Sequence, residues 1–432
     1  MLMEDYKVAR QTTYKYNVTV VSSGGNKYAI NGNTQQYVVL FPGSTYEFNQ
    51  DDSSNSGHPL RFSETDNGTH GGGSEYTTGV TTSGTPGSAT AFTKIEVTSS
   101  TPFRLYYYCT QHSAMGGSVQ VPNNHSANGR GLVAAGNAPA ASNIIDYINI
   151  AVTGNAADFG DLLQAQAACS GTGNLTQLTT FGGISPASTN QMQQVLFQSL
   201  GNGNDFGDLV SANRYLATAG NKIKAITGGS NGGGPSSSDT AIQCVIYASQ
   251  GQSFDTGADM TKGGWGQAAA SSPTRAIFAG RQNNDSFPTD SNLYSNTIDF
   301  VDFASVGTCS DFGDLGTGRQ YGGGVSSSTR ACIGGGTVAS YPGTITNDIE
   351  YITMSSTGNG TTFGDLSVSR RLLGQQLSTN TRGVFCGGST PSISNVMDYI
   401  TISSTGNASD FGDLTQAREN NAMGSDSSGG LQ

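Results

Sequence analysis

A five-residue string, Asp-Phe-Gly-Asp-Leu, constrains this chain more than any other feature. It stands at Asp158–Leu162, Asp205–Leu209, Asp311–Leu315 and Asp410–Leu414, and Thr362–Leu366 repeats it with Thr in the first place. A degraded copy reads at Phe254–Met260, where Asp255, Gly257 and Asp259 survive. The copies recur about every 50 residues, a period typical of propeller blades and solenoid units. Around each copy lie four strand-like pieces. A run ending in glycines comes first, as in Arg382–Gly388. A variable polar loop follows, then an apolar strand such as Val396–Ile402. After a Ser-Thr-Gly-Asn turn comes the Phe-Gly-Asp-Leu strand, and a last strand opens with Ala-Arg or Ser-Arg, as at Ala417-Arg418 and Ser369-Arg370.

The glycine-terminated run recurs at Gly131–Gly136, Leu178–Gly183, Ile223–Gly229, Ala276–Gly280, Ala331–Gly336 and Gly383–Gly388, which makes six units. The two ends of the array complement each other. The first unit lacks a preceding fourth strand, and the last lacks a following glycine strand. Pairing Asn420–Ser427 with Gly131–Gly136 would close the array and remove the exposed sheet edges that invite aggregation. A linear solenoid would instead need polar caps at both ends. The spacing and the ends predict a six-bladed propeller over 130–432.

Gly387-Gly388, Asp398-Tyr399 and Phe411-Gly-Asp-Leu414 resemble the blade motifs of the kelch family. In those motifs a Gly-Gly strand, an apolar strand with Tyr-Asp and a Trp-x-x-Leu strand follow one another. Phe replaces Trp here in every intact copy. The resemblance implies the fold and is nearly silent on function.

Composition narrows the class. Charged residues are 12% of 432 and Gly supplies 61 positions, so the surface is neutral-polar. The net charge of −11 is concentrated in the repeats: 1–121 holds 7 basic and 9 acidic residues, 122–432 holds 13 and 22. That balance lacks the basic footprint that nucleic-acid binding needs. Met1–Lys7 has no apolar run of the kind that opens a signal peptide, and no stretch is long enough for a membrane helix. Cys109, Cys169, Cys244, Cys309, Cys332 and Cys386 lie far apart, several in apolar runs, and all but Cys109 read as small buried hydrophobes.

The region before the repeats has a different rhythm. Residues 1–13 read as an arm and 122–129 as a linker. Between them, short alternating strands are expected at Tyr14–Val21, Gln36–Phe41, Ser44–Gln50, Leu60–Ser63, Ala91–Val97, Phe103–Tyr108 and Ser118–Val121, with long polar loops at Asp51–Gly57 and Glu64–Ser88. That density of strands predicts a β-sandwich or a Greek-key barrel. Its sharpest local signal is Tyr106-Tyr-Tyr-Cys109-Thr-Gln-His112-Ser-Ala-Met115. A thiolate, an imidazole three residues on and a thioether three further suit copper, with the Met weak and axial. His58, about 50 residues upstream at the start of a strand, is the natural second imidazole. His70 reads as a surface residue of a glycine-rich loop, and His125 as a linker residue.

This order, a His followed by Cys-x-x-His-x-x-Met between the last two strands of a barrel, resembles the cupredoxins over residues 14–121, and the amicyanin-like spacing in particular. By that likeness His58, Cys109, His112 and Met115 map onto the copper ligands. A kelch-like propeller beside copper also brings galactose oxidase to bear, but that copper needs histidines from the propeller, and no histidine follows His125. The repeated Asp-x-Gly-Asp offers one carboxylate pair per blade, short of the six to eight oxygens calcium takes. It reads better as packing, with Phe and Leu alternating inward, Gly permitting a bulge and Asp capping the turn. No nucleophile elbow, phosphate-binding loop or zinc motif is present, so no enzyme is expected.

Ser404–Leu414, His58-Pro-Leu-Arg-Phe62 and Tyr106–His112 are similar to segments of structural proteins of marine phages, cyanophages especially. That resemblance implies a virion protein, such as a tail-fibre, tail-tip or capsid-decorating component, that attaches to a host surface or stabilises the particle. Its partners would be other virion proteins, copies of itself, and a host glycan or protein. The alternative is an extracellular copper electron-transfer protein with a propeller for docking. For recognition, the loops after the glycine strands vary most. Arg281–Asn296 presents Phe287, Leu293 and Tyr294, and Thr337–Asn347 presents Tyr341, among Asn, Ser and Asp.

Overall fold

The computed structural model describes residues 13–40, 44–98, 101–102, 104–121, 129–198, 201–231, 238–249, 251–283, 293–338 and 343–431. It is all-β, with 52% of residues in strands and 3% helical. The chain divides into two compact units, Met1–Ser126 and Ala127–Gln432. The arm 1–12 and the stretch 122–128 lie outside the described residues. Among the described residues no helix is long and apolar enough to cross a membrane.

The N-terminal unit is built from two sheets. One takes Thr13–Ser22 between Asn26–Ile30 and Thr45–Asn49, then Phe92–Glu96 and Val80–Ser83; Thr13–Ser22 and Thr45–Asn49 run parallel. The other orders Val38–Val39, Gly117–Gln120, Arg104–Cys109, Leu60–Ser63 and Glu75–Tyr76. Alternate residues of both sheets, among them Val18, Phe48, Ile95, Leu60, Phe62, Leu105, Tyr107 and Val119, enter one core. Burying each such side chain contributes about 1.5–3 kcal/mol. Three of these strands depart from expectation. Asn26–Ile30 is a strand because it buries Tyr28, Ala29 and Ile30, too short an apolar run to stand out. The expected loop Glu64–Ser88 contains the edge strands Glu75–Tyr76 and Val80–Ser83, which are mostly exposed and so carry no hydrophobic pattern.

The second unit repeats one sheet. The glycine runs form Arg130–Ala134, Gln177–Phe181, Lys224–Gly228, Arg275–Asn283, Arg330–Gly334 and Arg382–Cys386. Each pairs antiparallel with the apolar strand that follows it, and that strand pairs with the Phe-Gly-Asp strand. The segment after each Leu crosses to the next sheet as its first strand, as Ser170–Gly173 does beside Gln177–Phe181. At the end of the chain Ala422–Ser425 pairs with Arg130–Ala134, Leu132 opposite Gly424 and Val133 opposite Met423. This is the pairing expected from the two incomplete ends.

The repeated string is a bulge. Ile145 faces Gly160 and Asp146 faces Asp158, which leaves Phe159 as the extra residue; the same shift recurs in the sheets with the other intact copies and the Thr362 copy. Phe and Leu stand three apart and would point to opposite faces of a regular strand, not alternate inward. The bulge turns both to one side, so Phe159 and Leu162 are both buried. The repeat glycine supplies φ between 135° and 156°. It also admits the next sheet: a Cβ on Gly412 would lie 2.5 Å from the Gly154 carbonyl oxygen, and one on Gly364 2.3 Å from that of Gly406. The Asn after each of these turn glycines accepts from the repeat's second Asp amide at 3.1 Å, Asn155 from Asp413 and Asn407 from Asp365.

The Arg of the crossing segment is fully buried. Arg418, Arg370 and Arg319 form ion pairs of 2.5 Å with Asp146, Asp398 and Glu350 of the next sheet's middle strand. The same carboxylates accept from the residue just past the repeat Leu: Thr415 donates to Asp146, Ser367 to Asp398 and the Gly316 amide to Glu350. In the fourth sheet the crossing segment has Gly264 at that place, and Arg281 of the glycine strand reaches Asp299 instead, at 2.8 Å. The second and third sheets replace the pair with amides, where Gln193 takes the Gln164 amide and Gln243 the Val210 amide. At this place in each sheet, then, a buried carboxylate or amide takes a hydrogen bond from the segment that crosses from the sheet before it. The last sheet's partners, Asp146, Gly154 and Asn155, belong to the first. The C-terminal residues Ser427–Leu431 are buried against the first strands of the third, fourth and fifth sheets.

Candidate metal centre

Strand pairing brings the ligand residues together. Cys109, last residue of Arg104–Cys109, stands opposite Leu60, and the Thr110 amide donates to the Pro59 carbonyl at 3.2 Å. His58 thus arrives beside the thiol across the strand end. Its backbone is clamped on both sides. The His58 amide donates to the carbonyl of Asn55, whose own side-chain amide is fully buried and donates to the Val18 carbonyl at 2.8 Å. The His58 carbonyl accepts from the Tyr28 hydroxyl at 2.7 Å and the Gln50 side-chain amide at 2.9 Å, while Gln50 Oε1 receives the Leu60 amide.

The loop carrying His112 and Met115 is pinned from the first sheet. Tyr28 donates its amide to the Met115 carbonyl at 2.9 Å, Lys27 Nζ reaches the Ala114 carbonyl at 2.5 Å, and Gln35 reaches the Gly116 carbonyl at 2.5 Å. The Ala114 amide donates to Asn67 Oδ1 at 2.7 Å, which holds Ala114 at φ 58°. These partners fix the turn that returns His112 over the thiol.

Cys109 Sγ lies 3.8 Å from Nδ1 of His58 and 3.8 Å from Nδ1 of His112. The ligand atoms of the three residues all lie within 4.8 Å of one another. A metal bound at about 2.3 Å to sulfur and about 2.0 Å to nitrogen in tetrahedral geometry separates S from N by roughly 3.5 Å, so the three donors fit one metal ion. Cys109 is fully buried, His58 nearly so, and His112 is exposed. Burial, and after it the nearby His112, hold the His58 imidazole below the usual His pKa, which favours the neutral ring that a metal ligand needs. Burial, and then the neighbouring Cys109, push the Tyr28 hydroxyl up, so Tyr28 stays a donor to His58. Met115 is buried in the N-terminal core and lines the same open cleft as His112.

Two residues of this neighbourhood were not legible as partners. His70, read as a plain surface residue, sets Nε2 3.1 Å from the Cys109 carbonyl and also lines the cleft. Asn67 looked like one polar loop residue among many. Neither has a local motif, because their partners are backbone atoms far along the chain.

Elsewhere the structure corrects the recognition residues. Leu293 and Tyr294 are buried, at 3% and 9% exposure, because Tyr294–Asp302 is already strand, pairing Tyr294 with Gln282. Arg281 is likewise not a loop residue but the buried partner of Asp299. Phe287 and Tyr341 lie outside the described residues. The repeated aspartates form no metal-ligand cluster among the described residues, where His58, Cys109 and His112 make the sole group of this kind. All six cysteines are free and buried, and burial pushes the Cys169, Cys309 and Cys332 thiols up to about 12. No known protein-family model matches the chain. No curated protein is significantly similar to it.

Proposed function

We propose that this chain is a non-enzymatic structural and attachment protein of a phage particle, in which a cupredoxin-like unit precedes a closed, six-bladed kelch-like propeller. The observation that carries the reading is the use of buried polar groups in the repeats. Arg418, Arg370 and Arg319 are spent on holding neighbouring sheets together, Arg281 pairs with Asp299 within the fourth sheet, and the last sheet is tied to the first through Asp146, Gly154 and Asn155. Such a framework supports a durable scaffold for binding loops. Copies of this chain and other virion proteins are the proposed partners within the particle, and a host-surface glycan or protein outside it. Mass spectrometry of purified particles should find the chain at a fixed ratio to the capsid proteins. Its absence from particles that infect normally would defeat this reading.

The N-terminal cluster would hold copper through Cys109, His58 and His112, with Met115 as the weak axial donor. When bound, copper would cross-link two strand ends and a loop, and this supports particle stabilisation. Purified protein titrated with Cu(II) should bind one equivalent and gain a visible thiolate-to-copper absorption that Cys109→Ser abolishes. A colourless, metal-free product after titration would sink the assignment.

A second reading, copper electron transfer with the propeller as docking domain, is favoured by the exposure of His112 above a buried thiol. An exposed imidazole edge gives electrons a short way out. Rapid, reversible reduction of the copper-loaded protein by a small redox dye would support it.

A further inference from the structure

The sixth residue after each repeat Leu, or after Met260 in the degraded copy, adopts the left-handed conformation in all six units: Ala168, Tyr215, Gly266, Tyr321, Leu372 and Asn420, at φ from 52° to 72°. These residues are hydrogen-bonded to one another in succession. Tyr215 donates its amide to the Ala168 carbonyl, Gly266 to Tyr215, Tyr321 to Gly266, Leu372 to Tyr321 and Asn420 to Leu372, at 2.7–3.3 Å. Five of the six are not glycine, and each such residue carries backbone strain of the kind that concentrates at ligand clamps. All six line one cavity of about 30 Å³. The buried C-terminal residues Gly429 and Gly430 pack against Gly220, Ser271 and Ser327, at or just past the other ends of the first strands.

Its walls have unmet polar capacity. Asn421, 3% exposed, has no partner for either side-chain amide atom, and Oε1 of Gln267, 1% exposed, has none. An unmet buried polar group is costly, so a ligand that meets it gains affinity. Asn421 stands where the third and sixth sheets' crossing segments put Leu216 and Leu373, so an aliphatic side chain fits that place. Tyr215 and Tyr321 also line the cavity, their ring centroids 5.5 Å apart.

We propose that this axial cavity binds a neutral saccharide, with a hydroxyl-bearing arm on Asn421 and Gln267 and the ring against Tyr215 and Tyr321. No lining residue carries a formal charge, which disfavours an ionic ligand. Sugar hydroxyls both donate and accept, as the two ends of the Asn421 amide require. Sugar C–H faces lie well on aromatic rings, and the cavity admits a hydroxyl group or two but no whole ring. The site deepens the attachment role above and rests on it for its biological setting alone.

The chain's single tryptophan, Trp265, adjoins Gly266 and Gln267 and reports on the site. The purified full chain should be titrated with methyl glycosides of neutral hexoses and N-acetylhexosamines while Trp265 fluorescence is followed. At least one should give a saturable change with Kd on the order of 1 mM or tighter. Asn421→Leu should weaken it at least about tenfold with the unfolding midpoint unchanged or raised, and Tyr215→Ala should weaken it similarly. No saturable change with any sugar, equal affinity in Asn421→Leu, or ordered water alone in crystals soaked with the sugars would overturn the site. Particle composition decides the virion reading separately, so failure of one is distinguishable from failure of the other.

Discussion

The two units use buried polar groups in opposite ways. In the N-terminal unit, Tyr28, Gln50, Asn55 and Asn67 hold backbone so that three donor side chains are left facing one another with room between them. In the repeats, Arg319, Arg370 and Arg418 each close on a carboxylate and on nearby carbonyls; Arg370, for example, also donates to the Gly387 and Val396 carbonyls. The first arrangement stores ligand capacity and the second spends it on cohesion. A repeated interface must satisfy the same groups in every copy, whereas a unique site is built once.

The strongest way to break this comparison is to remove one cohesive charge. Arg418→Met leaves Asp146 buried without its cation and should cost about 3–5 kcal/mol in denaturant unfolding of the repeat unit. Gln193→Leu, in a sheet where an amide takes the place of the buried ion pair, should cost nearer to about 1 kcal/mol. Equal losses would show that the ion pairs are not what ties the sheets.

A smaller effect sharpens the account of the repeat. A Cβ on Gly207 would lie 2.0 Å from the Gly251 carbonyl oxygen, at φ 135°. Gly257, its counterpart in the degraded copy, has φ 68° and nothing within 4 Å of such a Cβ. Gly207→Ala should therefore lose about 3 kcal/mol through strain and collision, and Gly257→Ala only about 1 kcal/mol from its backbone. Similar melting temperatures for the two variants would contradict the sheet-to-sheet role of the repeat glycine.

The smallest effect separates the units by pH. Folding lowers the His58 pKa, so the unfolded chain takes up that proton first as pH falls. Stability of the metal-free N-terminal unit should be full above about pH 6.5 and decline as pH falls through the depressed folded value. The repeats contain no histidine after His125. Calorimetry from about pH 7.5 to about pH 5.5 should lower one transition and leave the other in place, because this window lies above carboxylate titration. A parallel fall of both transitions would remove His58 as the cause.

Much of this was legible in sequence because it is local or periodic. The all-β class, the six glycine strands and the pairing of the chain's end with Arg130–Ala134 follow from a pattern that each copy restates. Cys109, His112 and Met115 sit at short spacings that announce a ligand loop. What the tertiary structure alone decided is where long-range polar partners fall. Arg418 was visible as the start of a strand, yet only folding shows it closing on Asp146, 272 positions away. Leu293 and Tyr294 looked like exposed recognition residues because apolar side chains in a polar run read alike whether they face solvent or the next strand. The side of a bulge on which a residue lands, and the carbonyl that a buried guanidinium finds, depend on register between strands, and register is a property of pairs that no single stretch of chain contains.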